Sequence, residues 1–327
     1  MVSAILEGKP DKNLILVTGR IHPKLAEDVA EQLGIDVLET TAYDFANGEM
    51  YVRYTESVRG ADVFVLQSHY KPINKAIMEQ LIMIDALKRA SARSITAVCP
   101  LLGYSRQDKK HRGREPISCR LVFDLLKTAG ADRIMSVDLH AAQSQGFFDG
   151  PVDHLTAMPI LLDYVRNSMP LENTTIVSPD AGRIKVSEQW AAKLGGLPLA
   201  FIHKTRDTTR PNHAEAHGII GDVKGRDCVV VDDMIDTAGT LCANVKELKA
   251  MGAGDIYVCA THGIFSGPAI ERLNDAPIVE CVVTDAIPVE VGGKIKTISV
   301  AEEFAQAISA VYREEPVSTL VGGDFAL

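Results

Sequence analysis

Short apolar runs rich in β-branched residues alternate along the chain with segments whose apolar positions recur at helical spacing. The segment 13–34 predicts a strand, a turn and then a helix that stops at Gly34. A longer helix is predicted over 74–91, with Asn74 as its N-cap. Its buried face consists of Ile77, Leu81, Ile84 and Leu87. Strands that alternate with helices in this way are typical of parallel sheets covered by helices, and we predict an α/β fold.

The order of elements in the first half of the chain returns in the second half. The segment 13–34 is matched by 174–195, and 61–105 is matched by 226–266. In the longer pair, a strand and a turn lead to a helix, and another strand follows. Any two Rossmann-like units resemble each other, but the matched order and spacing favour a duplicated Rossmann-like domain.

The chain is long enough for two ordinary domains. It has 327 residues, of which 46% are hydrophobic and 24% charged, so each half can bury a core. Gly150 and Pro151, near the middle of the chain, predict a break between elements. We therefore predict an N-terminal domain over 1–157 and a C-terminal domain over 158–327.

A buried-strand pattern runs directly into acidic residues in VVVDDMIDTAGT, residues 229–240. Asp232 and Asp233 would lie at the carboxyl end of this strand, where open α/β sheets bind their ligands. The following turn, 236–240, leads into a helix that we predict to start near Leu241. This loop is therefore a candidate binding site.

The two ends of this loop favour different chemical groups. A helix N-terminus offers free N–H groups and a partial positive charge, and Gly239 allows close approach of an anion. Thr237 and Thr240 add hydroxyl donors, which suits a phosphate monoester. Carboxylates instead accept hydrogen bonds from vicinal sugar hydroxyls or hold a divalent cation. The loop indicates a sugar-phosphate site, and the alternative is a set of N-caps and solvated charges.

Further polar motifs follow other strand-like segments. FANGE, residues 45–49, contains a common turn signal. RQDKKHRGR, residues 106–114, has enough positive charge to hold a triphosphate or to pair with a neighbouring subunit. A solvated face is the alternative interpretation of this basic run.

Four more residues are candidates for phosphate chemistry. His140 and Asp180 follow strand-like runs and are placed to share a magnesium ion, although histidine is an uncommon magnesium ligand and a structural His140 is the alternative. Lys204 and Arg206 are spaced to project from one side of an extended segment and close over a substrate. The polar stretch after them, 208–218, is predicted to be a loop, so solvated loop charges are the alternative.

Composition excludes several classes of protein. The formal net charge of −9 argues against a general nucleic-acid binder, which needs a positive surface. Apolar runs fall far short of the ~20 residues that a membrane span needs, and the N-terminus does not have the pattern of a signal peptide. The 6 cysteines are widely spaced and predict neither disulfides nor a zinc site. We expect a cytoplasmic protein.

These motifs together resemble a known family. The stretch 229–240 alone resembles the ribose 5-phosphate or phosphoribosyl pyrophosphate motif of type I phosphoribosyltransferases. The ordered set resembles ribose-phosphate pyrophosphokinases over nearly the whole chain, and it consists of FANGE, ESVRG, RQDKK, VDLH, SPDAG, KTR, GRDCVVVDDMIDTAGT and ATHGIFSGPA. The resemblance implies two duplicated Rossmann-like domains of the type I phosphoribosyltransferase kind, with parallel sheets flanked by helices. It also implies transfer of the β,γ-pyrophosphoryl group of ATP to the 1-hydroxyl of ribose 5-phosphate, giving phosphoribosyl pyrophosphate and AMP.

The resemblance implies a role for each motif. The catalytic residues would be Lys204 and Arg206, on a mobile loop, and the Mg²⁺ ligands would be His140 and Asp180. The residues implied to bind ATP are Phe45, Asn47, Gly48, Glu49, Arg106 and Gln107. The residues implied to bind ribose 5-phosphate are Arg206, Asp232, Asp233, Asp236, Thr237, Ala238, Gly239 and Thr240. The N-terminal domain would contribute to the ATP site, and the C-terminal domain would supply the loops for ribose 5-phosphate and pyrophosphate.

The same resemblance implies a homohexamer, activation by inorganic phosphate and inhibition by ADP. Arg112 and Arg114 fit an allosteric phosphate site as well as an ATP site. Some positions depart from the family pattern. Arg183 stands where a second glycine is usual, His111 where an acidic or small polar residue is common, and Thr205 where the family often has arginine.

Two other functions compete with this interpretation. A phosphoribosyltransferase fits 229–240 equally well, but FANGE and RQDKK argue for a separate ATP site. A regulatory subunit or a sugar-phosphate sensor would have kept the fold without the chemistry. The presence of Lys204, Arg206, His140 and Asp180 argues against that alternative.

Overall fold

The computed structural model describes residues 13–206 and 214–320, apart from the side chains of 204–206, 214–217 and 319. The described chain divides into two compact units. One comprises Thr156–Val300, and the other comprises the described residues up to Leu155 and those from Ala301 onward. The C-terminal helix is therefore grouped with the first unit. The assignment of separate functions to 1–157 and 158–327 stays a prediction.

The first unit is built on a parallel sheet of five strands in the order β1-β4-β5-β6-β7. A separate hairpin pairs β2 with β3 in antiparallel fashion. The strands are β1 (Leu14–Thr18), β2 (Thr40–Asp44), β3 (Met50–Tyr54), β4 (Asp62–Leu66), β5 (Ser94–Val98), β6 (Arg133–Val137) and β7 (Val152–Leu155). The helices are α1 (Pro23–Leu33), α2 (Ile73–Arg89), α3 (Ser118–Ala129) and α8 (Ala301–Arg313), the last of which packs on α1.

The second unit contains a sheet of seven strands in the order β10-β9-β8-β11-β12-β13-β14. All neighbours are parallel except β9 and β10. The strands are β8 (Thr174–Ser178), β9 (Leu199–Arg206), β10 (Ala214–Ile220), β11 (Asp227–Ile235), β12 (Ile256–Gly263), β13 (Glu280–Thr284) and β14 (Ile295–Ile298). The helices are α4 (Met158–Ser168), α5 (Ile184–Lys193), α6 (Gly239–Ala250) and α7 (Ala269–Asp275).

The two units repeat one topology. In the first the parallel order is β1-β4-β5-β6-β7, and in the second it is β8-β11-β12-β13-β14. Each unit also places an antiparallel pair between its first and second parallel strands along the chain, β2–β3 in one and β9–β10 in the other. The predicted α/β fold with two duplicated, helix-flanked sheets is confirmed.

The central strands are apolar because helices cover both faces of each sheet. Every residue of β4 and of β8 is buried, as expected for strands with no solvent-facing side. Among the helices of the described ranges, not one combines the length and the hydropathy that crossing a bilayer requires.

The predicted helix over 74–91 is present, with a different N-terminus. It spans Ile73–Arg89, and Pro72 rather than Asn74 is its N-cap. The side-chain oxygen of Asn74 instead accepts a hydrogen bond of 2.5 Å from the hydroxyl of Tyr104, so a tertiary contact uses the expected capping group. On the predicted apolar face Ile77, Ile84 and Leu87 are buried and Leu81 is half-buried.

Candidate functional site

The predicted site residues of the second unit follow two neighbouring parallel strands. The loop with Asp180 follows β8, and Asp232 and Asp233 lie in the last part of β11, which pairs with β8. Parallel strands bring their carboxyl ends to one edge of a sheet, where α/β folds bind ligands. The topology therefore brings these two loops to the same edge of the sheet.

Arg183 lies against the two aspartates of β11. Its Nη2 forms an ion pair with Oδ2 of Asp233, and its Nε lies 3.8 Å from Oδ1 of Asp232. The side chains of Arg183 and Asp233 are 18% and 6% exposed, so the pair is largely shielded from water. The arginine that departs from the family pattern therefore supplies the positive charge beside two adjacent carboxylates.

Burial changes the acidity of this carboxylate pair. Desolvation raises the pKa of Asp232 well above its ordinary value, and the negative charge of Asp233 raises it further. The charge of Arg183 and a hydrogen bond of 2.8 Å from the backbone N–H of Asp233 oppose that rise. A group that brings hydroxyl donors or positive charge to Asp232 would stabilise its ionised form.

The turn after β11 ends in an exposed helix N-terminus. Helix α6 begins at Gly239, so the predicted start near Leu241 is wrong by half a turn. Its N-cap, Ala238, has φ 57° and ψ 2°, the left-handed conformation that side chains other than glycine rarely adopt. Alanine has no polar atom to cap the helix, so the first N–H groups of α6 are suited to receive an anion.

Two contacts brace this turn. The guanidinium Nη1 of Arg272 donates to the carbonyl oxygen of Thr237 over 2.9 Å, and the N–H of Ser266 donates to the carbonyl oxygen of Asp236 over 2.9 Å. Strain at a left-handed alanine persists where the surroundings hold the backbone in place, and such strain is common at binding sites. The exposed hydroxyls of Thr237 and Thr240 flank the helix start.

The magnesium candidates lie in different units. Asp180 is exposed, and its Oδ1 accepts a hydrogen bond of 2.8 Å from the N–H of Gly182. His140 follows β6 and is half-buried. Within residues 13–206 and 214–320, no three His, Cys, Asp or Glu side chains form a ready-made metal site. Magnesium is commonly held by one or two carboxylates together with substrate phosphates, and the oxygens of Asp180 fit that pattern better than the imidazole of His140.

FANGE forms the turn of the β2–β3 hairpin in the first unit. The N–H of Phe45 donates to the carbonyl oxygen of Glu49 over 2.7 Å, and Gly48 adopts φ 90°. The N–H of Glu49 also donates to Oδ1 of Asn47 over 3.1 Å. Phe45 is 46% exposed and lies edge-on to Tyr43, with ring centroids 5.3 Å apart. The turn therefore presents an aromatic face to solvent.

The basic segment after β5 is exposed and locally ordered. Arg106 and Gln107 are exposed, and the N–H of Gln107 donates to the carbonyl oxygen of Tyr104 over 2.9 Å. Glu115 accepts hydrogen bonds from the N–H groups of His111 and Arg112, over 2.8 and 2.9 Å, and these bonds lower the pKa of Glu115. Hydrogen bonds from two successive residues fold this basic segment into a turn.

The predicted catalytic residues lie on β9. The backbone of Lys204 and Arg206 is extended, as the sequence predicts, while their side chains lie outside the described residues. The prediction that 208–218 is a loop is wrong in its last part, because Ala214–Ile220 forms β10 and pairs with β9. The pairing of β10 with β9 is a contact that the local sequence pattern does not show.

One cluster near the FANGE hairpin was missed by the sequence analysis. Arg20 contacts both Asp44 of the hairpin and Glu79 of α2. The available signal was the glutamate at position 79, which stands three residues after Ala76 and four before Met83, both buried in α2, and is itself 1% exposed. A charged residue at a buried position requires a partner.

Two family models match different parts of the chain. A family model described as the N-terminal domain of ribose phosphate pyrophosphokinase matches residues 14–130. A second model, described as the phosphoribosyl synthetase-associated domain, matches residues 208–322. Together the two models include the FANGE hairpin, the basic segment and the loop after β11.

Relatives that match nearly the whole chain indicate the same family. A ribose-phosphate pyrophosphokinase of Bifidobacterium longum (strain NCC 2705) is 74% identical over 325 residues, or 98% of this chain and 96% of that protein. One from Streptomyces coelicolor is 57% identical over 314 residues, or 95% of this chain and 96% of that protein. The crystal structure of phosphoribosylpyrophosphate synthetase from Mycobacterium smegmatis matches with a TM-score of 0.88 and 54% identity, and covers 93% of this chain and 100% of that chain. The family predicted from the motifs is confirmed, and the chain belongs to the ribose-phosphate pyrophosphokinases, transferases of nucleotide biosynthesis.

Proposed function

We propose that this enzyme transfers the β,γ-pyrophosphoryl group of ATP to the 1-hydroxyl of ribose 5-phosphate. The bond between the β-phosphorus and the oxygen that bridges it to the α-phosphate is broken, and that oxygen leaves with AMP. A bond from the sugar oxygen to the β-phosphorus is formed, and the hydroxyl loses its proton. The products are phosphoribosyl pyrophosphate and AMP. The observation that supports this most is the loop after β11, which has two carboxylates at one end and an uncapped helix N-terminus at the other.

Ribose 5-phosphate fits both ends of that loop. The 5-phosphate would accept hydrogen bonds from the N–H groups of Gly239 and Thr240 at the start of α6, and from the hydroxyl of Thr237. The carboxylates of Asp232 and Asp233 would accept hydrogen bonds from the sugar hydroxyls. Asp236 and Ala238 would shape the turn between these two ends. A sugar phosphate can bond to the carboxylates and to the N-terminus of α6, whereas inorganic phosphate can bond only to the N-terminus of α6.

Asp180 and His140 are the residues that we assign to Mg²⁺. When bound, Mg²⁺ neutralises the phosphate oxygens and so favours attack on the β-phosphorus. Asp180 already receives a hydrogen bond from Gly182, which holds its carboxylate in one orientation. His140 is better suited to contact a metal-bound water or a phosphate than to serve as a direct ligand, because magnesium prefers oxygen donors.

ATP is assigned to the FANGE hairpin and the basic segment. The exposed ring of Phe45 would stack on the adenine. Polar contacts would come from Asn47, Gly48 and Glu49 of the hairpin turn, and Arg106 and Gln107 would bind the nucleotide from the segment after β5. Lys204 and Arg206 would offset the negative charge of the phosphates during transfer, which is the main contribution that a protein makes to phosphoryl chemistry.

Family membership supports a proposal for assembly and regulation. We propose a homohexamer that inorganic phosphate activates, with Arg112 and Arg114 as candidates for the phosphate site. Both arginines lie in the exposed basic segment of the first unit. Mass measurement by light scattering, with and without phosphate, tests the assembly.

Phosphorus NMR of the protein with Mg-ATP, ribose 5-phosphate and inorganic phosphate tests the reaction. We expect signals of AMP and of a sugar pyrophosphate. ADP with a sugar monophosphate would instead identify an ordinary kinase. No turnover with retained binding of ribose 5-phosphate would favour the regulatory subunit, and consumption of added phosphoribosyl pyrophosphate with a nucleobase would favour a phosphoribosyltransferase.

A further inference from the structure

The β2–β3 hairpin has little support of its own. It forms a separate sheet of two strands, and none of its strand residues is fully buried. A hairpin of two strands is marginally stable in water unless other elements hold it. At its base, the hydroxyl of Tyr54 donates to the carbonyl oxygen of Met83 over 2.9 Å. Val52 and Tyr54 of β3 also pack against the core of the first unit, and the end that carries the FANGE turn lies beyond these contacts.

That end is attached at Asp44. Asp44 pairs with Met50 as the last strand residue before the FANGE turn. Nη2 of Arg20 donates to Oδ1 of Asp44 over 2.8 Å, and Nζ of Lys75 donates to Oδ2. The two cations lower the pKa of Asp44, Lys75 through the larger effect. We call Arg20, Asp44, Lys75 and Glu79 the hairpin clamp.

Arg20 is itself held by a buried carboxylate. Its Nε pairs with Oε1 of Glu79, and its backbone N–H donates to Oε2 of Glu79 over 3.1 Å. The amide of Gln67, at the end of β4, donates to Oε2 of Glu79 over 2.6 Å. Glu79 is 1% exposed, so its orientation is fixed by these donors. The hairpin clamp thus connects the FANGE turn to the buried interior of the first unit.

The residue before Arg20 has to be glycine for this arrangement. A Cβ on Gly19 would lie 2.4 Å from the side-chain carbon and oxygen of Gln67, too close for any real contact. Gln67 can therefore reach Glu79 because Gly19 has no side chain. The hairpin clamp therefore depends on three segments: the loop after β1 with Gly19 and Arg20, the loop after β4 with Gln67, and Glu79 of α2.

We infer that Arg20 is a positioning residue for the nucleotide: through Asp44 it fixes the FANGE turn, and with it Phe45, where adenine is bound. This inference rests on the proposed role of the hairpin in ATP binding. Arg20 acts through Asp44 and Glu79 and need not touch ATP. Charge-assisted hydrogen bonds of this kind restrict the turn before ATP arrives, so binding loses less conformational entropy.

Asp44→Ala is the most direct test, because it releases the hairpin and leaves the buried pair of Arg20 and Glu79 intact. We expect the Kd for a nonhydrolysable ATP analogue, measured by calorimetry, to rise about tenfold, while the Kd for ribose 5-phosphate changes less than about twofold. KM for ATP should rise similarly with little change in kcat. Asp28→Ala is the matched control, since it removes an exposed ion pair with Lys24 on α1 that does not contact the hairpin.

Arg20→Lys is a second variant that keeps the charge. Lysine cannot bond to Asp44 and Glu79 with the two arms of a guanidinium, so an intermediate loss of ATP affinity is expected. If the wild-type protein bound no ATP analogue, the proposed function would be wrong. If it bound the analogue and Asp44→Ala bound it equally well, the positioning role would be wrong. Equal loss of affinity for both substrates would indicate general damage to the fold and would also overturn that role.

Discussion

The guanidinium of Arg183 forms an ion pair with the carboxylate of Asp233. Arg183 lies in the segment after β8, and Asp233 lies in the last part of β11, which pairs with β8. Asp232, the residue before Asp233, lies beside the same guanidinium. Two adjacent carboxylates would repel an incoming sugar phosphate. The positive charge of Arg183 offsets part of this negative charge, so the pair repels a phosphorylated sugar less.

Arg183→Gln should weaken both the fold and the binding of ribose 5-phosphate. Loss of the partner leaves the carboxylate of Asp233 buried, and the free energy of unfolding should fall by about 3 kcal/mol. The Kd for ribose 5-phosphate should rise about tenfold, because both carboxylates then oppose the phosphate. Urea unfolding and calorimetry measure the two effects.

The double variant Arg183→Gln with Asp233→Asn separates these effects. Stability should return, since no unpaired buried charge remains. Affinity for ribose 5-phosphate should stay low, because one sugar-binding carboxylate is also gone. Wild-type affinity in either variant would show that the ion pair has no part in binding the sugar.

Features that depend on local pattern were predictable from the sequence. The buried run before Asp232 identifies β11, and the turn residues after it identify a helix start, because strands and helices have distinct apolar periods. The duplication was also predictable, since it is a repetition of local order. Boundaries were less accurate, as the start of α6 at Gly239 shows. The first residues of a helix are set by backbone angles, here those of Ala238, which apolar spacing does not report.

Features that depend on contacts between distant segments were not predictable. Arg183 stands far from Asp233 in sequence, so its charge has no visible partner until β8 and β11 are paired. The grouping of α8 with the first unit is of the same kind, because its apolar face fits either unit by pattern alone. Strand β10 was missed because its first residues were interpreted as part of a polar stretch, and its pairing with β9 is a contact that local pattern does not report.

Gly239→Ala should weaken ribose 5-phosphate binding without loss of stability. A Cβ at this position would lie 3.5 Å from Nη1 of Arg272 and 3.7 Å from Oγ1 of Thr237, which are ordinary contacts. The methyl group would instead hinder a phosphate at the start of α6. We expect the Kd for ribose 5-phosphate to rise about tenfold. The melting temperature should change by less than about 4 °C or increase, since alanine favours helix.

Gly292→Ala is the matched control for this variant, because a Cβ there has open space in the same unit. It should retain wild-type affinity and stability. Unchanged affinity in Gly239→Ala would mean that the phosphate does not approach the backbone at this position. The proposed phosphate site at the start of α6 would then be wrong.

Lys204→Ala and Arg206→Ala should each lower turnover by on the order of 10³, the range seen for cations that stabilise phosphoryl transfer. Affinity for ribose 5-phosphate should fall much less with Lys204→Ala, because the lysine is assigned to the transferring phosphates. Rapid-quench measurement of AMP formation in a single turnover isolates the chemical step. Lys246→Ala, at an exposed lysine of α6, is the control. A loss under about threefold in both variants contradicts the catalytic role.

His69 should make stability depend on pH. It is fully buried: Nδ1 accepts from the N–H of Gly103 over 3.0 Å, and Nε2 lies 2.7 Å from Oε1 of Gln80. Nε2 must then carry the proton, so the ring is neutral. Burial lowers the pKa of His69 to about 4, and the hydrogen bond to Gln80 opposes that shift in part.

The sign of this effect follows from proton uptake. Below its ordinary pKa of about 6.5 an unfolded histidine binds a proton that the folded protein excludes, so stability is full above that pH and is lost toward pH 4. The loss attributable to His69 is on the order of 3 kcal/mol across this window. The free energy of unfolding, measured with urea at a series of pH values, should therefore fall less steeply between pH 6.5 and pH 4 in His69→Gln than in wild type. His203→Gln, at an exposed histidine, is the control and should keep the wild-type slope. Equal slopes in wild type and His69→Gln would show that the buried ring takes up its proton without unfolding.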